Sequence, residues 1–197
     1  MRTQGFTLLE LTIASSITVV VSLLSFVAVK TSLDSANQAS VQETVQRNVH
    51  DALRAMSQEI QMAASTDSAP MYSAIKLGGT TDLPEVTFQT PLDMTGTTWS
   101  TPITYRFVNE DTNCNGVRDA SEADTDGDGV LTRRIVRVQD GVAQPIAAAN
   151  EISAAAFTLS TDKKTLTITL TASKSYVSGK AVRQAMADAS ERAYLLN

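Results

Sequence analysis

Cysteine is almost missing from this 197-residue chain: Cys114 is the only one, so no intrachain disulfide can form and paired cysteines for zinc are excluded. Histidine is equally scarce. His50 stands beside an apolar stripe, most simply as an exposed helix residue, and no nucleophile motif accompanies it, so a Ser–His–Asp type of constellation has no members. No glycine-rich phosphate loop is present either. Aromatic residues make up 5% of the chain, and 16 Lys and Arg face 21 Asp and Glu, for a formal charge of −5. That balance argues against a partner whose phosphates require a cationic face, so no nucleic acid is expected. Neither is an enzyme.

Proline and glycine are absent between residues 6 and 64, and nothing else there breaks a helix. Across residues 6–29 every side chain is apolar, small or hydroxylated except one, Glu10. A helix rising 1.5 Å per residue makes that run long enough to cross a hydrocarbon core of roughly 30 Å. A carboxylate inside such a segment costs several kcal/mol unless it is neutralised or paired, so Glu10 reads as functional by default. The run is longer than the apolar part of a removable secretory peptide and is not followed by a small-x-small cleavage site.

Gly5-Phe6-Thr7-Leu8-Leu9-Glu10, behind a short leader containing Arg2, resembles the processing signal of type IV pilins and type II secretion pseudopilins. The resemblance implies that residues 1–5 are a leader removed between Gly5 and Phe6 by a prepilin peptidase, and that the new Phe6 amine is N-methylated. It also implies that Glu10 pairs with the Phe6 amine of a neighbouring subunit during assembly. An α-amino group, with a pKa near 8, is largely cationic at neutral pH and suits that role. Major pilins of this superfamily commonly carry a C-terminal disulfide; the lone Cys114 therefore leans toward a minor subunit or a pseudopilin.

Beyond the apolar run, Val41, Val45, Val49, Leu53, Met56 and Ile60 recur at helical spacing with polar residues between them. Residues 6–29 and an amphipathic continuation over 30–64 therefore predict one helix of roughly 85–90 Å, with a break near Lys30 as the alternative. Residues 65–197 predict a β domain. Short strand patterns fall at 86–88, 103–108, 131–138, 156–159 and 166–170, and Ser160 to Lys164 form a hairpin signal. Strands that follow one another without helices predict an antiparallel sheet and an α+β class. The end of the chain is ambiguous: residues 180–193 suit a short helix, and 194–196 a closing strand.

An acidic stretch, 111–129, interrupts the strands. Asp111, Asn113 and Asn115 take positions 1, 3 and 5 of a twelve-residue calcium loop, with Gly116 at 6, the Val117 carbonyl at 7, Asp119 at 9 and Glu122 at 12. Oxygen ligands at alternate positions let a chain wrap a hard cation. Asp124, Asp126 and Asp128 repeat the first half of the pattern, for one or two structural Ca2+ ions. The stretch resembles the EF-hand-like loops of bacterial extracytoplasmic proteins and dockerin-type modules, in the loop alone. A solvated acidic turn has a similar composition. Arg133, Arg134 and Arg137 read as a solvated face or as partners for this loop.

The order helix, loop, Tyr-Arg-Phe strand, variable loop and arginine-bearing strand most resembles minor pilins of the PilW type and pseudopilin J. The resemblance implies a single-pass protein of the bacterial inner membrane with a periplasmic domain. It would meet the prepilin peptidase and other pilins or pseudopilins, and be incorporated into a surface filament. A type II secretion pseudopilin and a membrane-anchored calcium-binding adhesin are the alternatives.

Overall fold

The computed structural model describes residues 7–63, 75–93, 95, 97–112, 119–124, 131–146, 151–178 and 181–195. Helix α1, Leu8–Ile60, runs for 53 residues without interruption, about 80 Å, as the lack of proline and glycine predicts. Its first half is exposed throughout. Only from Val41 onward does a stripe go under: Val45, Val49, Ala52, Leu53, Met56 and Ile60 are buried at spacings of three and four. Fully burying each larger one contributes about 1.5–3 kcal/mol. The helix ends four residues before the expected Ala64. Met62 and Ala63 donate to Glu59 and Ile60 in tightened i→i−3 turns rather than continuing the α pattern.

The strands form two antiparallel sheets where one was expected. The first is a meander of β1 (Lys76–Gly79), β2 (Pro84–Phe88), β3 (Ile103–Asn109), β4 (Arg133–Gln139) and β5 (Val142–Pro145), each paired with the next. The second holds β6 (Ile152–Leu159), β7 (Thr165–Ser178) and β8 (Ala181–Tyr194). Tight turns set the hairpins. Asp140 (φ 53°) and Gly141 (φ 77°) close β4 onto β5 with two positive-φ residues, the geometry that matches strand twist. At the β6–β7 turn, the Asp162 carboxylate accepts from the Ser160 hydroxyl and the Lys164 N–H, and Lys163 takes φ 56°. Gly79 sits at φ 75°, where an added Cβ would lie 2.1 Å from the Leu83 carbonyl oxygen. Gly79→Ala should therefore cost about 2 kcal/mol in a denaturant titration; an unchanged midpoint would show that the β1–β2 turn does not need this conformation.

Residues 181–194 are strand, not helix. Fourteen Cα pairs join β8 to β7, and Ala185, Ala187, Ala189 and Ala193 recur at period two. Leu170 stands opposite Ala189 and Leu166 opposite Ala193, so a large side chain on β7 meets a small one on β8. Helix α1 packs across this pair, and the alanines let it approach. Strand β6 meets the first sheet, so Phe88, Ile103, Tyr105, Phe107, Ile152, Ile168 and Leu170 share one core with the helix stripe.

Candidate functional site

Two regions carry the residues singled out by sequence, and a third was missed. At the N-terminal end, Thr7 caps α1 with extended backbone (ψ 152°). Glu10 Oε2 accepts from the Thr7 N–H and hydroxyl, both at 2.9 Å, while the Glu10 N–H donates to Thr7 Oγ1 at 3.3 Å. This is a reciprocal capping box, and it satisfies donors that a helix start would otherwise leave open. The Thr-x-x-Glu spacing was its signal. Among the described residues both hydrogen bonds to the Glu10 carboxylate fall on Oε2. Gly5 and Phe6 lie outside the described residues.

The segment that follows is suited to an apolar medium. Thr12, Ser15, Ser16, Thr18 and Thr31 each turn the hydroxyl back onto a carbonyl three or four residues earlier, at 2.7 Å for Thr12 and 2.8 Å for Thr18. Polar groups in hydrocarbon are costly unless satisfied internally, as these hydroxyls are; among the described residues, Ser22 and Ser25 of the same run make no such bond. The chain thus has one N-terminal helix long and apolar enough to span a membrane.

The acidic loop is tied at its base. Glu110, 3% exposed, accepts from the Thr132 N–H (3.0 Å) and hydroxyl (2.7 Å), joining the end of β3 to the start of β4. Asp111, 2% exposed, lies 3.5 Å from Arg133 Nε. Arg133 continues to the Ser173 hydroxyl at 3.3 Å, linking the loop to β7. Glu122 is also buried: Oε1 accepts from the Thr112 hydroxyl and Oε2 from the Asp119 N–H, each at 3.3 Å. The structure therefore brings Asp119 and Glu122 together and sets Glu122 beside the residue next to Asp111.

Asp124 is partly covered, while Asn113, Asn115, Val117, Asp126 and Asp128 lie outside the described residues. Among the described residues no group of three or more His, Cys, Asp or Glu is placed to hold a metal. Of the expected ligands that the described residues hold, Asp111 and Glu122 are buried carboxylates and Asp119 is an exposed one, oxygen donors of the kind a hard divalent cation takes, although Arg133 already stands beside Asp111 as a counterion. Arg133 does serve the acidic loop, as expected for one member of the basic cluster.

Arg137 does not. Its Nε and Nη2 donate to Glu59 on α1, with the Nη2–Oε1 contact at 2.7 Å, and Tyr105 donates its hydroxyl to the same carboxylate. Tyr105 is 2% exposed and packs against Phe88 with ring centroids 5.5 Å apart and the planes tilted by 36°. Burial works against the charged form of Glu59, but hydrogen bonds from Arg137 and Tyr105 and the guanidinium charge outweigh it and hold this carboxyl below the ordinary range. Burial, reinforced by Glu59, pushes the Tyr105 hydroxyl well above its usual value. Glu59 was legible as an acid set inside the apolar stripe between Met56 and Ile60. His50 is exposed, in a groove with Gln46 of α1 and Met186 and Asp188 of β8.

Comparisons of the chain with protein-family models, with curated proteins and with solved structures returned no match.

Proposed function

We propose that this protein is a type IV filament subunit: a minor pilin-like chain stored in the bacterial inner membrane, with its β domain in the periplasm, and assembled through α1. The observation that carries the reading is the exposed apolar half of α1, with a lone acid, Glu10, three residues after its cap. A helix with that surface needs either lipid or other helices around it. The mechanism is mechanical: apolar helices bundle in the filament core, and Glu10 Oε1 takes the Phe6 amine of the next subunit while Oε2 stays on Thr7. Removal of residues 1–5 between Gly5 and Phe6 by a prepilin peptidase would create that amine. Calcium, held by Asp111, Asn113, Asn115, the Val117 carbonyl, Asp119 and Glu122, with Asp124, Asp126 and Asp128 as a second set, would supply charge neutralisation and stiffness to the β3–β4 loop.

Mass spectrometry of sheared surface filaments and of the cell envelope, following the N-terminal peptide, tests this. A peptide starting at methylated Phe6 at low level in filaments is expected. The same peptide confined to the envelope would point to a secretion pseudopilin, and an intact Met1 in both fractions would sink the reading. Glu10→Leu should leave processing unchanged but lower incorporation tenfold or more. Breaking a buried ion pair costs about 3–5 kcal/mol, above the roughly 1.4 kcal/mol of a tenfold change.

A further inference from the structure

The β7–β8 hairpin runs along α1 toward its apolar end. Gln42 donates to the Met186 carbonyl at 2.8 Å, and Asn37, nearer the apolar run, reaches the Val177 carbonyl at 3.5 Å. The strands stay paired past that point, to Ser178 opposite Ala181. Asp34 is partly covered, whereas every other described residue from 7 to 40 is exposed. The end of the hairpin therefore lies near the level of residues 34–37, about 7–12 Å along the helix from the last residue of the apolar run. The headgroup layer of a bilayer is itself about 5–7 Å thick on each side.

The chemistry of that end suits such a layer. Val177 and Val182 stand opposite each other, 63% and 74% exposed, a cross-strand apolar pair; Leu92, Val142, Met186 and Tyr194 are also more than half exposed, but none of them stands at this end of the hairpin. Tyr176 and Arg183 pair on the other face. Arg183 is exposed and makes no ion pair among the described residues. From residue 163 to residue 187 there is no acid, although the chain carries 21. Lys174 pairs with Glu151, and Lys30 lies exposed on α1 one turn from Asp34, the one acid at this level of the helix among the described residues. Tyr176 is partly buried against the core, so the exposed chemistry at this end is the valine pair and Arg183; apolar side chains can enter the interface, and basic side chains there are drawn to anionic lipid.

We propose that the free end of the β7–β8 hairpin is a second membrane contact, inserting Val177 and Val182 among anionic lipid headgroups with Arg183 beside them; this rests on the reading that α1 is anchored in the bilayer. The contact fixes the domain against the membrane surface while the subunit is stored, and it must be released when α1 is extracted.

The test uses the full chain with Cys114→Ser, carrying single labelled cysteines from Val182→Cys, Ser190→Cys or Ser22→Cys. It is reconstituted in phosphatidylcholine–phosphatidylglycerol vesicles and in phosphatidylcholine vesicles. The label at 182 should be shielded from iodide and quenched by headgroup nitroxide lipids, more strongly in the anionic vesicles, while the label at 190 stays in water. Arg183→Gln should lower the ratio of inserted to free hairpin about fivefold. Iodide reaching 182 as freely as 190, with the label at 22 in lipid, would overturn the hairpin contact and leave the anchor standing. Shielding that grows with protein density and ignores lipid composition would assign the surface to a second copy of the chain and overturn the proposal. A label at 22 outside lipid would overturn the anchored reading and the hairpin contact together.

Discussion

Glu59→Ala should lower the stability of the full chain by about 2–3 kcal/mol at neutral pH. It leaves Arg137 and the buried Tyr105 hydroxyl without their shared acceptor. Complete burial of such a pair would put the loss at about 3–5 kcal/mol; here the side chains of Glu59 and Arg137 keep 22% and 24% of their exposure, which moves it lower. For a chain of this length the melting temperature should fall by about 5–10 °C. Glu59→Gln keeps an acceptor for Tyr105 and should cost less. The pH dependence has a defined sign. The folded-state carboxyl titrates below its unfolded counterpart, so the stabilisation is complete above the ordinary carboxylate range and disappears as pH falls through the lowered folded value. The gap between wild type and Glu59→Gln should therefore close in acid. Equal denaturation midpoints for wild type and Glu59→Ala at neutral pH would remove Glu59 as the fastener between α1 and the first sheet.

Calcium at about a hundred times its dissociation constant should add about 2.7 kcal/mol of stability, and chelation should remove it. A dissociation constant of about 0.1–1 mM would suit an extracytoplasmic site. The choice of variant matters. Asp111 is buried against Arg133, which is itself 9% exposed, so Asp111→Ala strands a guanidinium and destabilises the protein whether or not calcium binds. Melting alone would then mislead. Calorimetric titration of wild type, Asp111→Asn and Glu122→Gln separates the two effects, because affinity is read directly. Both variants should weaken binding at least about tenfold, the effect of losing roughly 1.4 kcal/mol of ligand interaction. No heat below millimolar calcium in the wild type, or unchanged affinity in both variants, would reduce the loop to an acidic turn held by Arg133.

The long helix was readable because its signals were local and mutually consistent: an unbroken span, an apolar run, then a stripe at helical spacing. The strands at 103–108 and 166–170 were readable from alternation, as was the turn at 160–164. Residues 181–194 were not. Alanine-rich and charged, they favour a helix in isolation, and only pairing with β7 and contact with α1 make small residues at period two the better solution. The division into two sheets depends on β6 pairing with β7 rather than β5, a long-range choice that no local pattern encodes. Three signals were present and passed over: Asp140-Gly141 as a two-residue hairpin turn, Thr7-Leu8-Leu9-Glu10 as a capping box, and Glu59 as an acid within the apolar stripe. For the acidic loop, residue types named Asp111, Asp119 and Glu122, but the Arg133–Ser173 link that holds buried Asp111 lies on β4 and β7.

The polar links between α1 and the sheets are spread along the helix. Asn37 holds Val177, Gln42 holds Met186, Asn48 holds Glu151 at 3.1 Å, and Glu59 holds Arg137. From residue 37 to residue 59 that is about 33 Å of axis. A tensile load applied to the exposed half of the helix would meet these links, and the apolar stripe between them, side by side rather than in sequence. The domain is fastened in shear, with no end from which a pull along the axis can unzip it.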